Sequence, residues 1–282
     1  MSMRRVAKYL LPSGIRRWLR TTFGWRWLRG EYPDWATAAR KAGELGGGAP
    51  VERVVQAARA VRAGTGAWDR DGEVFTEPAV HAPLLDALGR IASAGQGLTL
   101  VDFGGGLGST WWQHRRELSE LGPIDWRIVE LPALVAAGRR EFSDATLSFH
   151  DSLAAATARG RVNVLLLSSV LQYLESPQAF LRDPALDGFS DIILDRVALA
   201  ADARTRIVVQ HTPPSLGGGA SPCWLFGRTG FEALLTPTWS IVSQWRVDFD
   251  ELDGTASYAG WWLRRRESQK ADAPARSLTP RP

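Results

Sequence analysis

The sequence predicts an α/β protein built on a mostly parallel sheet. Three observations predict it: apolar runs alternate with helical stretches from Leu98 onward, a glycine-rich turn follows the first run, and two longer runs lie near the end. Strands that alternate with helices favour a parallel sheet with right-handed crossovers. A chain of 282 residues can bury one substantial core, or at most two small ones.

The individual elements follow from these runs. Five strands are predicted, at Leu98–Phe103, Trp126–Glu130, Leu147–His150, Val162–Ser168 and Asp191–Leu194. Helical stretches separate them, including Leu131–Phe142 and Pro177–Leu181. The longer runs Trp239–Phe249 and Tyr258–Arg265 are close in sequence, which indicates an antiparallel hairpin.

The first 30 residues hold eight basic and no acidic side chains. Their apolar spacing predicts a basic amphipathic helix pair broken at Pro12. The pair would either pack on the domain with a solvated basic face or lie on an anionic membrane surface. Trp25 and Trp27 favour the membrane, because indoles prefer the headgroup region. Residues 31–65 are predicted to be helical, with a break at residues 46–48.

Three segments are expected from these patterns. Residues 1–75 form a basic helical extension, residues 76–266 form the domain with the glycine-rich turn, and residues 267–282 form a disordered tail. Residues 31–263 hold 20 basic and 28 acidic side chains, so the body is acidic. Because domains that cradle nucleic acid are usually basic on their working face, nucleic acid is disfavoured as a partner.

Location and metal content follow from what the sequence lacks. No apolar run reaches the roughly 18–20 residues that span a bilayer, and Met1–Gly30 has no apolar signal-peptide core. The expected location is the cytoplasm, with peripheral attachment to the inner membrane face as a further hypothesis. The single cysteine, Cys223, excludes an internal disulfide and a four-cysteine zinc site. No metal site is predicted, and the oligomeric state stays open.

The glycine-rich turn directly follows a predicted buried strand. In open α/β sheets, ligands sit beyond the carboxyl ends of the strands, and glycines let the backbone approach them closely. The spacing D-x-G-x-G-x-G departs from the dinucleotide fingerprint, because position 109 is Ser and not Gly. It matches the loop of class I methyltransferases that binds S-adenosylmethionine (SAM). The candidate cofactor residues here are Asp102, Gly104, Gly105, Gly106, Gly108 and Ser109.

Acidic side chains end the next two predicted strands. Glu130 ends the second strand, where a carboxylate can accept both ribose hydroxyls of a nucleoside. Because SAM and NAD share that ribose, Glu130 supports either cofactor, and the alternative is a surface acid at a helix N-terminus. Asp151, followed by Ser152, ends the third strand, where a polar group can meet the adenine amino group. The alternative for Asp151 is a cap of the next helix.

The chain as a whole resembles a family of SAM-dependent methyltransferases found among bacterial surface-polysaccharide biosynthesis genes. The resemblance implies the class I methyltransferase fold, with a mostly parallel seven-stranded sheet and a terminal antiparallel hairpin. The chain departs from the family at Leu131, where the family usually has Gln. It also departs at Ser221-Pro222, where Ser-Tyr-Pro is expected and the Tyr is absent. The matching stretches are Trp68-Asp69-Arg70-Asp71 with Phe75, Asp102 to Thr110, Gln113 with Arg115, Val129-Glu130, Ser168 to Leu174, Asp195-Arg196, Val209-Gln210, and Ala220-Ser221-Pro222 before Trp224.

The resemblance implies further cofactor residues. It assigns Ser168 and Ser169, after the fourth strand, to the cofactor side of the site. Segments that precede the first strand often close over the methionine end of SAM, and Arg70 could bind its carboxylate through a fork. The alternative for Arg70 is a surface salt-bridge cluster.

Four residues are candidates for catalysis. A sugar hydroxyl is a poor nucleophile that benefits from a general base, and His211 is one candidate base. Asp195 is another, and Arg196 could hold a sugar oxygen or a phosphate. Tyr173 follows the fourth strand, where methyl transfer should occur. The alternatives are an exposed loop histidine, a local ion pair and a packing tyrosine.

Three functions compete at this stage. The first is SAM-dependent O-methylation of a glycan, a nucleotide sugar or a lipid-linked sugar. The second is an NAD(P)-dependent sugar oxidoreductase or epimerase. It is disfavoured because Tyr173 has Pro177 and not Lys four residues later. The third is a non-catalytic scaffold lying against the membrane, which the intact glycine turn and Glu130 disfavour.

Overall fold

A computed structural model describes residues 28–44, 51–95, 97–212, 218–247 and 256–266. The strands are β1 (Leu28–Tyr32), β2 (Trp68–Arg70), β3 (Glu73–Phe75), β4 (Leu98–Phe103), β5 (Ile124–Val129), β6 (Leu147–His150), β7 (Val164–Ser168), β8 (Asp191–Ala200), β9 (Arg206–His211), β10 (Ala220–Leu225), β11 (Trp239–Val247) and β12 (Ala256–Arg265). The helices are α1 (Trp35–Gly43), α2 (Val51–Arg62), α3 (Ala82–Gly95), α4 (Ser109–Ser119), α5 (Pro132–Glu141), α6 (Leu153–Thr157), α7 (Pro177–Leu181) and α8 (Arg228–Leu235). Short 3-10 turns lie at Leu171–Tyr173 and Pro184–Gly188.

The main sheet has seven strands in the order β11-β12-β8-β7-β4-β5-β6. Strands β6, β5, β4, β7 and β8 run parallel. Strand β12 is antiparallel to β8, and β11 is antiparallel to β12. The predicted α/β class, the mostly parallel seven-stranded sheet and the terminal hairpin are thereby confirmed. Strand β8 continues through Ala200, six residues beyond the predicted end.

Helices cover both faces of this sheet. Leu88 of α3, Leu118 of α4 and Val135 of α5 are buried in one core cluster. Leu181 of α7 and Phe231 of α8 are buried in the other. Because both faces are covered, strands such as β7 are apolar along nearly their whole length and do not alternate. In open sheets of this kind, ligands bind beyond the carboxyl ends of the strands.

A second sheet, β1-β9-β10, was not predicted from the sequence. Strand β9 is in the middle and pairs antiparallel with β1 and β10. One face packs against α1, with Ala38 and Ala42 against Val209. The other face meets the main domain and includes buried Cys223 beside Val208.

The helical prediction is wrong for residues 28–32, which form β1. Backbone pairing with β9, about 180 residues away in sequence, outweighs the local helical pattern. The remainder of the predicted helix pair, the break at residues 46–48 and the tail at 267–282 lie outside the described residues. Since β1 shares a sheet with β9, the two segments meet there, and the boundary at residue 75 stays a prediction.

A two-residue turn joins β2 and β3 into a hairpin. Asp71 and Gly72 both have positive φ, 49° and 77°. This is the conformation of a two-residue hairpin turn whose twist matches that of the two flanking strands. Trp68 stacks on Phe75 at a centroid distance of 3.9 Å. In the described part of the chain, no helix is long and apolar enough to cross a bilayer. Nor do three or more His, Cys, Asp or Glu side chains form a potential metal site among these residues.

Candidate active site

The glycine-rich turn joins β4 to α4 at the carboxyl edge of the main sheet. Gly104 and Gly106 have φ of 75° and 61°, in the region that favours glycine. A Cβ on Gly104 would lie 2.6 Å from Val170 Cγ2, whereas a Cβ on Gly106 would meet only Ser109 Oγ, at 3.9 Å. Gly104 is therefore required for packing, while Gly106 borders an open cradle.

Asp102 supports this turn from below. It is buried, and its carboxylate accepts a hydrogen bond from Trp126 Nε1 at 3.0 Å. Burial raises the pKa of Asp102 to about 7. A Cβ on Gly105 would lie 2.5 Å from that carboxylate. The glycine at position 105 is thus explained by Asp102, not by direct approach to a ligand.

Glu130 lies beside the cradle, where the sequence predicts it. Its Oε1 accepts from the Gly106 N–H at 3.3 Å, and its Oε2 accepts from the Leu131 N–H at 2.6 Å. Burial raises the pKa of this carboxyl above its usual value. Glu130 therefore presents a partly desolvated carboxylate next to the open face of Gly106.

Asp151 and Ser152 have separate local roles at the end of β6. Asp151 Oδ2 pairs with Arg139 Nη2 at 2.8 Å, and about half of each side chain is exposed. Ser152, not Asp151, caps α6, because its Oγ accepts from the Ala155 N–H at 3.1 Å. Contact of Asp151 or Ser152 with an adenine stays a prediction.

The β2–β3 hairpin brings Asp69 to the first residue of α4. Ser109 Oγ donates to Asp69 Oδ2 at 3.1 Å, and burial raises the pKa of Asp69 to about 6. Arg70 points the other way, with its guanidinium 4.9 Å from the Trp68 ring centre. The structure therefore brings Ser109 to an acid that the sequence did not single out, and carboxylate binding by Arg70 stays a prediction.

Asp195 lies at the centre of a buried polar network near the end of β7. Its Oδ1 accepts from Trp245 Nε1 at 3.0 Å and lies 2.8 Å from His81 Nε2. Its Oδ2 accepts from Ser168 Oγ at 2.9 Å. Although burial alone raises the pKa of Asp195, the hydrogen bond and the charge of His81 outweigh it and hold that pKa below its usual value. Asp195 and His81 are both buried, with 1% and 6% of each residue exposed.

A β-bulge sets the position of Asp195. The pairing of β12 with β8 shifts between Ala259 and Trp261, so that Asp195 and Arg196 together oppose Gly260. A Cβ on Gly260 would lie 2.2 Å from the Trp245 indole. Glycine at position 260 thus lets Trp245 reach Asp195, in keeping with the occurrence of bulges beside active sites.

Two residues of this edge have a left-handed backbone without being glycine. Ser169 and Arg196 have φ of 58° and 55°, a conformation that persists where the surrounding structure enforces it. Gln172 is buried, and its Nε2 donates to Ser169 Oγ at 3.3 Å and to the Arg196 carbonyl at 3.1 Å. The Ser169 N–H donates to the Asp195 carbonyl at 2.9 Å. Gln172 therefore stabilises the strained backbone of Ser169 and Arg196 beside Asp195.

Tyr173 and His211 face different ways. The Tyr173 hydroxyl donates to Gln210 Oε1 at 2.8 Å, and burial raises its pKa well above the usual value. Side chains alternate along a strand, so His211 lies on the face of β9 opposite to Gln210. Ala220, the cross-strand partner of His211, belongs to the cluster under α1. The structure does not bring His211 together with Tyr173 or Asp195, and its role as base stays a prediction.

Sequence reasoning missed several residues of this edge: Asp69, His81, Gln172 and Trp245. The Asp71-Gly72 pair signals the hairpin that presents Asp69. No local pattern marks His81, which precedes α3 and meets Asp195 across 114 residues. His114 also approaches this region, and burial followed by the charge of His81 lowers its pKa to about 4. His114 is therefore neutral at physiological pH.

No protein-family model matches the chain, and no curated protein matches it either. Among solved structures, the N-terminal domain of EvdMO1, determined in the presence of S-adenosylhomocysteine (SAH) and D-fucose, is 16% identical with a TM-score of 0.45, covering 84% of this chain and 100% of its own. The 1,6-didemethyltoxoflavin-N1-methyltransferase of Burkholderia thailandensis is 15% identical with a TM-score of 0.43, covering 77% and 88%. N-methyltransferase NodS from Bradyrhizobium japonicum WM9, in complex with SAH, is 11% identical with a TM-score of 0.41, covering 66% and 87%. Because these similarities are distant, the activity and the substrate of this protein have to be inferred from the residues of the site.

Proposed function

We propose that this protein is a SAM-dependent methyltransferase. The observation that carries the proposal is the open cradle at Gly106 beside the Glu130 carboxylate, at the carboxyl edge of a mostly parallel sheet. A nucleoside could lie on the exposed backbone of the turn while Glu130 accepts its ribose hydroxyls. The spacing of glycines, with Ser109 where a dinucleotide fingerprint has glycine, supports SAM over NAD.

We further propose His81 as the general base for a hydroxyl acceptor, in place of Asp195 or His211. SAM, when bound, supplies a methyl group on a sulfonium, and the protein has to hold an acceptor oxygen in line with it. His81 Nε2 lies 2.8 Å from Asp195 Oδ1, so Asp195 would orient the imidazole and stabilise the positive charge that it gains on taking the acceptor proton. Trp245 and Ser168 hold Asp195 in place for this role.

The finer assignment is O-methylation of a glycan, a nucleotide sugar or a lipid-linked sugar. The family resemblance supports it, and the acidic body supports a small-molecule or glycan acceptor over nucleic acid. Arg196, which the bulge and Gln172 hold beside Asp195, could bind a sugar oxygen or an acceptor phosphate.

Binding calorimetry with SAH tests the proposed cofactor. Gly106→Ala should weaken SAH binding at least about tenfold, or about 1.4 kcal/mol, because its methyl group would enter the cradle. Gly64→Ala is the matched control: Gly64 also has positive φ, 76°, and open space around it. Both variants carry a similar backbone strain of about 1–2 kcal/mol, so only the loss at the cradle should differ.

Two results would contradict this proposal. One is a folded Gly106→Ala protein that binds SAH as tightly as the Gly64→Ala protein does. The other is a wild-type protein that binds NAD but neither SAM nor SAH, which would favour the oxidoreductase.

A further inference from the structure

Asp69 is a buried acid with one unsatisfied oxygen. The residue is only 3% exposed, and its Oδ2 accepts from Ser109 Oγ at 3.1 Å. Its Oδ1 is buried and accepts no hydrogen bond of normal geometry within the described part of the chain, and only the backbone N–H of Asp69 itself is close enough to lower the pKa of the carboxyl as a backbone donor. Buried carboxylates are normally paired with a cation or fully hydrogen-bonded, because burying an unpaired charge is costly.

The neighbouring charges do not supply that cation. Arg70 follows Asp69 on β2, and alternation along the strand places its side chain on the face of Trp68, where it stacks at 4.9 Å. Asp71 is a second acid and raises the pKa of Asp69 further, whereas Arg70 lowers it only as a nearby charge. A positive group from a ligand would satisfy Asp69.

Asp69 is placed to meet such a ligand at the glycine-rich turn. Glu130 contacts the turn at Gly106, and Asp69 contacts it three residues later, at Ser109. The half-buried Glu130 carboxylate therefore contacts the backbone of the turn, and the buried Asp69 carboxylate contacts the Ser109 side chain in the same short stretch of chain. A molecule that lies along the turn with its ribose at Glu130 can extend its other end towards Asp69.

We propose that Asp69 binds the α-ammonium group of SAM and of SAH. This inference rests on the proposed function and adds a recognition site for the amino-acid end of the cofactor. The ammonium is the cation that SAM and SAH share, whereas the sulfonium is present only in SAM. Asp69 Oδ1 accepts the ammonium N–H, while Ser109 keeps the carboxylate oriented through Oδ2.

A binding cycle separates this role from a merely structural one. SAH and its deaminated analogue, in which hydrogen replaces the ammonium, are titrated by calorimetry into wild type and Asp69→Asn, an isosteric variant that can still accept from Ser109. Wild type should bind SAH about 10- to 100-fold more tightly than the analogue, as expected for one charge-assisted hydrogen bond. Asp69→Asn should bind the two ligands within about threefold of each other and should bind the analogue as wild type does.

Other outcomes overturn the proposal in distinguishable ways. If Asp69→Asn retains the full preference for SAH over the analogue, Asp69 does not bind the ammonium. If it loses both ligands equally, Asp69 only supports the turn. If wild type binds neither ligand, the proposed cofactor is wrong, and the role of Asp69 is overturned with it. Ser109→Ala, which keeps the carboxylate, should retain most of the preference for SAH.

Discussion

Two buried acids, Asp69 and Asp102, lie under the glycine-rich turn with raised pKa values of about 6 and about 7. In each case burial is the main cause, so the charged form is disfavoured in the folded protein. Residues kept in such unfavourable states often serve binding at a cost in stability. At the residue scale the two acids differ, because Trp126 satisfies Asp102 within the fold, whereas Asp69 Oδ1 has no hydrogen-bond partner among the described residues.

Asp69→Asn should stabilise the protein at alkaline pH. The pKa of Asp69 rises from 3.8 to about 6 on folding, so its contribution to stability is fully present below pH 3.8 and is lost as the pH rises through 6. Asparagine stays neutral and avoids that loss. Urea unfolding at pH 8 should give the variant an advantage of up to about 3 kcal/mol, which shrinks towards pH 4. Equal stabilities at pH 8 would mean that the carboxylate is already well solvated or paired.

His81 and His211 are rival bases, and a pair of matched variants distinguishes them. His81→Gln should lower the rate of radiolabelled methyl transfer from SAM to nucleotide sugars by about 10²- to 10⁴-fold, while SAH affinity changes by less than about twofold. His211→Gln should leave the rate near that of wild type, because its side chain lies on the α1 face of β9. The reverse order of rates would restore His211 as the base and leave His81 as a packing residue.

At the scale of elements, sequence periodicity predicted the strands whose local sequence is typical of a strand. It missed the strands that form only because a distant segment pairs with them. Strand β7 is a continuous apolar run, whereas β4, β5 and β6 are short runs with polar residues among the apolar ones, and glycine or polar residues follow each strand. Residues 28–32 have a local pattern typical of a helix. They form strand β1 because they pair with β9, which lies far away in sequence. The β2–β3 hairpin is short, and only its Asp71-Gly72 turn carries a local signature.

The basic segment before β1 gives a prediction at this scale. If residues 1–27 bind an anionic surface, full-length protein should sediment with vesicles containing phosphatidylserine, and a variant that starts at Leu28 should not. Each Lys or Arg near such a surface contributes about 1 kcal/mol, and added salt should release the protein. Starting at Leu28 keeps β1 intact, whereas a later start would expose the edge of β9. Equal partitioning of both forms would contradict the membrane hypothesis.

For the molecule as a whole, the sequence predicted the architecture of the sheet, whereas the roles of the site residues stay predictions. Gly106 and Glu130 meet because consecutive parallel strands end at one edge. Asp195 and His81 meet only once the main sheet and the segment before α3 are assembled. When the residues of a site come from distant segments, no motif of fixed spacing in a single sequence reveals them.

The bulge at Asp195 and Arg196 also changes which residues of strand β8 face the core under α8. Before it, Ile192 and Leu194 face the core under α8, and the even-numbered residues are the inner ones. Beyond it, Val197 and Leu199 face that same core, so the odd-numbered residues are now inside. Position 196 is therefore where β8 can lose one residue and keep every later side chain on its proper face. A relative that lacks this residue is therefore expected to retain the fold with a straight strand β8.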